Sequence, residues 1–190
     1  GCNSSGQLET LTDALSNTSF AYYVGADLAA TRDPLGRGTT YRHDALGRVI
    51  ASEGPNGELV RSEYDPQGRM VRAVMAAGEV VELAYDPNGN LTDVLLPHNG
   101  GLSYDFDNRN RMIKRTDGLG QVETWAYDVM SRPTRYTDRR GFTSHYEYDA
   151  LGRHILTTYH DGTTVASTYD AGNRRLSLND SASGVLAWEY

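Results

Sequence analysis

The stretch Tyr64-Asp65-Pro66-Gln67-Gly68-Arg69-Met70 (YDPQGRM) is answered twenty-one residues later by Tyr85-Asp86-Pro87-Asn88-Gly89-Asn90-Leu91 (YDPNGNL). The same phrase runs along the chain. It reads His43-Asp44-Ala45-Leu46-Gly47-Arg48, then these two copies, then Phe106-Asp107-Asn108-Arg109-Asn110-Arg111. It goes on as Tyr127-Asp128-Val129-Met130-Ser131-Arg132, Tyr148-Asp149-Ala150-Leu151-Gly152-Arg153 and Tyr169-Asp170-Ala171-Gly172-Asn173-Arg174, and Tyr190 opens one more. Every step from His43 to Tyr190 is twenty-one residues. Upstream, Tyr23 begins a copy one residue short, and Cys2-Asn3-Ser4-Ser5-Gly6-Gln7 keeps the outline with Cys in the aromatic slot. A fixed period of this kind decides the architecture before anything else. It gives one continuous array: divergent repeats over 1–42, then seven regular repeats over 43–190 with the first residue of the next.

Each phrase is a turn with a mechanism. Asp at its first position accepts backbone N–H bonds, Pro at the second presets φ, and Gly at the fourth tolerates a left-handed backbone. That fourth position holds Gly47, Gly68, Gly89, Asn110, Ser131, Gly152 and Asn173. Gly and Asn reach positive φ most cheaply, so strain or a looser turn is expected at Ser131. Asp65, Gly68, Asp86, Gly89, Asp149 and Gly152 are expected to be structural turn residues. A second turn lies half a period away, as in Asp33-Pro34-Leu35-Gly36, Gly54-Pro55-Asn56-Gly57, Asp117-Gly118-Leu119-Gly120 and Asp138-Arg139-Arg140-Gly141. Gly78 and Gly162 hold the same slot, with Asn99 and Ser183 as substitutes. Two turns per period leave two strands of roughly six residues, the usual strand length. The unit is a β-hairpin, and the chain is an all-β antiparallel meander.

Alternation along the strands separates two faces. Val60, Val81, Leu102 and Val165, with Tyr41, Tyr104, Trp125, Tyr146 and Trp188, share a face with the Tyr column. The intervening positions include Arg61, Glu63, Glu82, Asp105, Thr124 and Glu147. The outgoing strands add Ile50, Val71, Ile113, Ile155 and Leu176 in one column. Sheets beyond about ten strands curl, split or flatten, so a sheet this long is expected to curve and shelter its apolar face.

Composition narrows the function classes. Of 190 residues 38 % are hydrophobic, and the net charge of -7 argues against a nucleic-acid partner. Lys114 is the only lysine, and Cys2 the only cysteine, so no intrachain disulfide forms. No apolar run approaches membrane-spanning length, so no membrane insertion is expected. The chain begins inside one repeat and ends on the first residue of another, and reads as an excerpt from a longer protein.

These residues resemble the YD repeats of the RHS family, which includes bacterial RHS polymorphic toxins, C-type subunits of Tc toxins, wall-associated proteins and teneurins. The shared motif is Tyr-Asp-x-x-Gly-Arg-x-aliphatic, clear from His43 and faint before it. The resemblance implies a β-sheet spiralling into a hollow RHS-type shell that, in the bacterial toxins, encloses a C-terminal toxic domain. It implies a structural wall segment in a secreted or cell-surface protein, whose partners are the rest of its parent chain: neighbouring repeats and an enclosed toxin. The core-associated segment and toxin that follow the repeats in family toxins are not in this sequence. The alternative function is a carbohydrate-binding or cell-surface adhesion module on the same scaffold, with cell-surface glycans as partners.

The remaining chemistry is sparse. The Asp column cannot share a metal between neighbours, because equivalent residues of successive hairpins lie about 10 Å apart, against Ca²⁺–ligand distances of about 2.3–2.6 Å. Turn capping and charge pairing with the Arg column account for it better. The Arg column is Arg48, Arg69, Arg111, Arg132, Arg153 and Arg174, with Asn90 at the missing step. Such residues pack their stems on aromatics and bond carboxylates or carbonyls. The histidines share no metal-ligand spacing. No nucleophile elbow, phosphate loop or dinucleotide fingerprint occurs, so no catalytic residue, cofactor or metal is expected. The candidate contact residues for a glycan or cargo are Trp125, Tyr127, Tyr146, Tyr148 and Trp188, an aromatic strip that serves equally as the apolar face of the wall.

Overall fold

The computed structural model describes residues 1–98 and 100–189. The turn substitute Asn99 and the opening residue Tyr190 lie outside the described residues. All regular structure among the described residues is β, with eighteen strands and no helix. Every pair whose register is defined is antiparallel and joins strands consecutive in the chain, as a meander requires.

The chain divides into two compact units, Gly1–Ala84 with Val94–His98, and Tyr85–Asp93 with Asn99–Tyr190. The first holds β1 (Thr10–Thr12), β2 (Thr18–Val24), β3 (Asp27–Arg32), β4 (Gly38–His43), β5 (Val49–Glu53), β6 (Leu59–Tyr64), β7 (Met70–Val74) and nearly all of β8 (Val80–Tyr85). Strand β9 (Leu91–Leu95) is shared. The second unit holds β10 (Gly101–Phe106), β11 (Met112–Asp117), β12 (Val122–Tyr127), β13 (Pro133–Thr137), β14 (Thr143–Tyr148), β15 (His154–Thr158), β16 (Thr164–Tyr169), β17 (Arg175–Asp180) and β18 (Gly184–Ala187).

One turn shows how the phrase works. In Asp44–Arg48 the Gly47 N–H donates to the Asp44 carbonyl at 3.0 Å, and the Asp44 N–H donates to the Arg48 carbonyl at 2.9 Å. This is a three-residue hairpin loop whose last residue must be left-handed, and Gly47 has φ 77°. Ser131 takes the same conformation, φ 63°, and its turn closes with a 3.1 Å bond, so the turn is no looser than its neighbours. Two second-series turns differ from the simple column reading. The left-handed residues are His98 (φ 63°), one before Asn99, and Gly184 (φ 106°), one after Ser183.

The short Tyr23 copy is a two-residue turn. Val24 pairs with Asp27, and Gly25 at the first central position has φ 63°, the placement glycine takes in a type II′ turn. That missing residue also hides a complete turn upstream, Asp13 to Asn17, with left-handed Ser16 at φ 66°.

Each hairpin closed by the first turn, among those whose register is defined, carries a β-bulge at the aromatic residue. The register slips at His43, Tyr64, Phe106, Tyr127, Tyr148 and Tyr169, and already at Tyr23. The extra residue comes from the outgoing strand, and it is the apolar column Ile50, Val71, Ile113, Ile155 and Leu176. A bulge bends its strand and raises local twist. Little is deeply buried: Ala51, Thr157 and Ser167 fall below a tenth exposed, and no large side chain is fully buried among the described residues. With no thick core in either unit, joints between hairpins must contribute much of the order.

Candidate functional site

The strongest construction is a clamp that joins one hairpin to the next. It starts from Asp of the turn. Asp44 Oδ1 accepts the N–H groups of Leu46 (2.9 Å) and Arg48 (3.1 Å), and its Oδ2 accepts Arg48 Nε at 2.7 Å. The same i,i+4 ion pair recurs at Asp65–Arg69, Asp107–Arg111, Asp128–Arg132, Asp149–Arg153 and Asp170–Arg174. Asp86 keeps the geometry with an amide: Asn90 Nδ2 donates to its Oδ2 at 2.8 Å. The Arg111 side-chain hydrogen bond, partly offset by desolvation, holds the Asp107 carboxyl down at about 2.

The pinned guanidinium then reaches the following hairpin. Arg48 lies 4.8 Å above the Tyr64 ring, Arg111 4.7 Å above Tyr127, Arg132 4.6 Å above Tyr148 and Arg153 4.8 Å above Tyr169. Arg111 and Arg153 each donate from Nη1 to the carbonyl of the next Asp, at 2.9 Å. In return three of these tyrosines, all but Tyr148, donate their hydroxyl backwards, to the carbonyl of the residue after the arginine. Tyr64 bonds Val49 (2.8 Å), Tyr127 bonds Met112 (2.8 Å) and Tyr169 bonds His154 (2.9 Å).

These bonds fall where the backbone ladder stops. Strands β5 and β6 pair only from Ala51↔Arg61 to Glu53↔Leu59. The Tyr64 hydroxyl bridges the open end beyond. Desolvation raises the Tyr127 pKa, against the lowering pull of the Arg111 charge, so the hydroxyl stays a donor at any physiological pH. The Arg column also accounts for two of the non-glycine left-handed residues. Asn110 Oδ1 accepts from Asn90 Nδ2 at 2.9 Å, and Ser131 Oγ accepts from Arg111 Nη1 at 3.2 Å. Glycine would offer neither bond.

In the second unit the aromatic strip forms a groove of about 330 Å³ lined by Trp125, Pro133, Tyr136, Tyr146 and Tyr148. Three of the candidate contact residues meet here: Trp125, Tyr146 and Tyr148. Tyr127 lies beneath Arg111 instead, and Trp188, 39 % exposed, is not part of the lining. Tyr136 was missed by sequence reasoning. It pairs directly with Trp125 across β12 and β13, with ring centroids 5.3 Å apart. Strict alternation from the turn would put Arg135 there, and the bulge displaces it by one. The Tyr136 hydroxyl donates to Glu123 Oε1 at 2.7 Å, which pushes its pKa up to about 12. Glu123 is lowered in turn by that bond and by Arg139 and Arg115, the latter 2.9 Å away. The groove therefore has one wall fixed in place by a charged anchor.

The turn residues stand where the phrase puts them. Gly68, Gly89 and Gly152 have φ of 83°, 90° and 81°, and Asp65, Asp86 and Asp149 accept the i+4 backbone N–H at 2.9 Å. Among the described residues no group of three or more His, Cys, Asp or Glu side chains is placed to hold a metal. No helix is long and apolar enough to cross a membrane.

Comparison with known proteins agrees with the repeat. The family model of the teneurin YD-shell matches residues 3–186. No curated protein matches in sequence. Among solved structures, a chain of the TcdB2-TccC3-Cdc42 crystal structure matches with a TM-score of 0.73 at 13 % identity, covering 98 % of this chain and 11 % of that one. A chain of the TcdB2-TccC3-TEV crystal structure matches with a TM-score of 0.58 at 14 % identity, covering 93 % and 12 %. The chain thus spans about a ninth of the length of the structures it resembles, and the likeness is one of fold.

Proposed function

The chain belongs to the teneurin YD-shell family, and on that footing we propose that it is a length of structural wall in a secreted or surface protein, whose shell encloses a C-terminal toxin. The observation that carries this reading is the clamp. Its Asp, Arg and Tyr side chains are consumed in fastening each hairpin to the next, which suits a wall that extends by repetition and leaves those columns no catalytic or metal-binding task. The fold shared with TccC3-containing structures supports the same reading. The partners are then neighbouring repeats of the parent chain and the enclosed segment. The test is limited proteolysis of the full-length protein. The C-terminal segment should resist protease in the wild type and become susceptible with Tyr127→Ser and Tyr148→Ser together. Equal digestion in both proteins would remove the enclosure reading.

A second reading has one observation in its favour, the groove. Trp125, Tyr136, Tyr146 and Tyr148 offer ring faces on which a sugar can stack, and Glu123 and its arginines flank them. On this reading the segment is an adhesion surface for cell-surface glycans. Loss of a glycan-array signal on Trp125→Ala, at unchanged melting temperature, would establish it.

A further inference from the structure

From Asp27 onward the arginine and the tyrosine of the clamp are kept or lost together. Every arginine of the column is followed sixteen residues later by tyrosine, from Arg48 and Tyr64 to Arg174 and Tyr190. Two steps lack arginine, and neither is followed by tyrosine: Asp27, in the divergent part, precedes His43, and Asn90, in the regular array, precedes Phe106, again by sixteen residues. Upstream, Gln7 precedes Tyr23 by the same interval, and its amide donates to the Gly25 carbonyl at 3.0 Å while Tyr23 bonds the Leu8 carbonyl at 3.1 Å. There an amide stands in for the guanidinium and the hydroxyl bond survives. At Asn90 the amide still reaches the next hairpin through Asn110, but neither there nor at Asp27 is there a guanidinium to cover the ring or a tyrosine to supply the hydroxyl bond.

Asn90 spends its amide on Asp86 and Asn110, and it is too short to cover a ring. Phe106 has no hydroxyl, so the Leu91 carbonyl loses the tyrosine donor its counterparts have. At the other joint a carboxylate occupies the guanidinium's place. Asp27 Oδ1 lies 3.1 Å from where a Cβ on Gly47 would stand, whereas Arg132 Nη1 lies 3.2 Å from the same point on Gly152.

We propose that the joints Asn90–Phe106 and Asp27–His43 are built-in release points, at which the hairpin array opens first. A fully sealed joint, as at Tyr64, Tyr127 and Tyr169, adds a cation–π contact and a hydroxyl–carbonyl bond at the end of a hairpin whose backbone ladder has already stopped. An unsealed joint leaves that end to fray, and local opening follows the least-supported backbone bonds. Wherever a wall of such hairpins must yield, it yields there. The paired loss marks a choice of joint type, because an arginine without an aromatic hydroxyl beneath it makes only half of the joint.

Hydrogen–deuterium exchange read by mass spectrometry tests this on the chain as it stands. In the wild type, segment 101–106 should exchange roughly tenfold faster than segment 122–127, the factor that one cation–π contact and one hydrogen bond supply together. Asn90→Arg with Phe106→Tyr should close most of that gap, and each single change should close much less than half of it. Equal exchange of the two segments in the wild type would overturn the proposal, as would a double variant no more protected than the sum of the singles. Should the gain-of-clamp variant not fold, the converse pair decides. Arg111→Asn with Tyr127→Phe should raise exchange of 122–127 to the level of 101–106, and unchanged protection there would refute the idea.

Discussion

The two series of turns share a backbone and differ in almost everything else. Both close with the same pair of hydrogen bonds. Met75–Glu79 and Tyr159–Thr163 close at 2.7 and 2.9 Å with no aspartate at the first position. So the loop itself needs only a residue that accepts positive φ, such as Gly78 or Gly162. The i,i+4 Asp–Arg pair appears six times in the first series and once, at Asp33–Arg37, in the second. Where the register is defined, hairpins closed by the first turn are bulged at the aromatic residue, and those closed by the second keep an unbroken register, as in β5–β6, β11–β12 and β15–β16. The first series therefore carries turn, bulge and clamp, and the second carries only the turn. That is why the phrase recurs at twenty-one residues and not at half that interval: the repeated unit is the joint, and a joint needs one special turn and one plain one.

The largest effect expected from this division comes from deletion. Removing 127–147 takes out one whole joint and brings Tyr148 to the position of Tyr127, sixteen residues after Arg111. The shortened chain should keep its β circular dichroism and melt cooperatively within a few degrees of the parent, because each hairpin contacts mainly its neighbours. Removing 138–147 alone should abolish cooperative melting. It puts a first-series turn where a plain one belongs and swaps the faces of the strands that follow. Two deletions of equal stability would show that the two series are interchangeable.

How much of this could be read in advance depended on whether one strand or two were involved. The turns were legible because each is local: Asp65, Pro66 and Gly68 specify their own loop whatever surrounds them. The Asp13–Asn17 turn escaped because the residue missing from the Tyr23 loop shifts everything upstream out of step. The bulge escaped because it adds its residue on the outgoing strand, after the loop, and leaves the alternation leading into Tyr64 or Tyr127 intact. With the bulge unseen, the pairing of Trp125 with Tyr136 was unseen as well, and with it the anchored wall of the groove. Contacts between an arginine and an aromatic ring were legible as a type. That the ring belongs to the next hairpin, and that its hydroxyl seals the hairpin between them, required register. Ser131 looked like an exception to glycine for the same reason, since its partner Arg111 is one repeat away.

A smaller effect is read by acid. Asp107 is held at about 2, chiefly by the Arg111 side-chain hydrogen bond, against ~3.9 for an unfolded aspartate. A carboxyl whose pKa is depressed on folding contributes stability above the unfolded value and loses it as pH falls toward the folded one. The melting temperature should therefore hold down to about pH 4 and drop between roughly pH 4 and 2. Asp107→Asn should lower the plateau and flatten that drop, because an amide has no proton to gain. An equally steep acid limb in the variant would assign the transition to other carboxylates.

The smallest effect is a difference between two glycines with the same backbone. Gly152 in the first series and Gly162 in the second have φ of 81° and 83°. A Cβ at either position meets the left-handed penalty, about 1–2 kcal/mol for an L-residue. What differs is the surroundings. A Cβ on Gly152 would stand 3.2 Å from Arg132 Nη1, and one on Gly162 would meet nothing within 4 Å. Gly152→Ala should therefore cost more than Gly162→Ala by a few tenths of a kcal/mol, because the arginine is the far end of a flexible chain and can yield while weakening its hold on Tyr148. Arg132→Ala should erase the difference, since it removes the group that is crowded. Matched denaturant titrations of the two glycine variants, with and without Arg132→Ala, give the comparison. A gap that survives the loss of Arg132 would place the extra cost in the turn itself, and the first series would then differ from the second in its backbone as well as in its clamp.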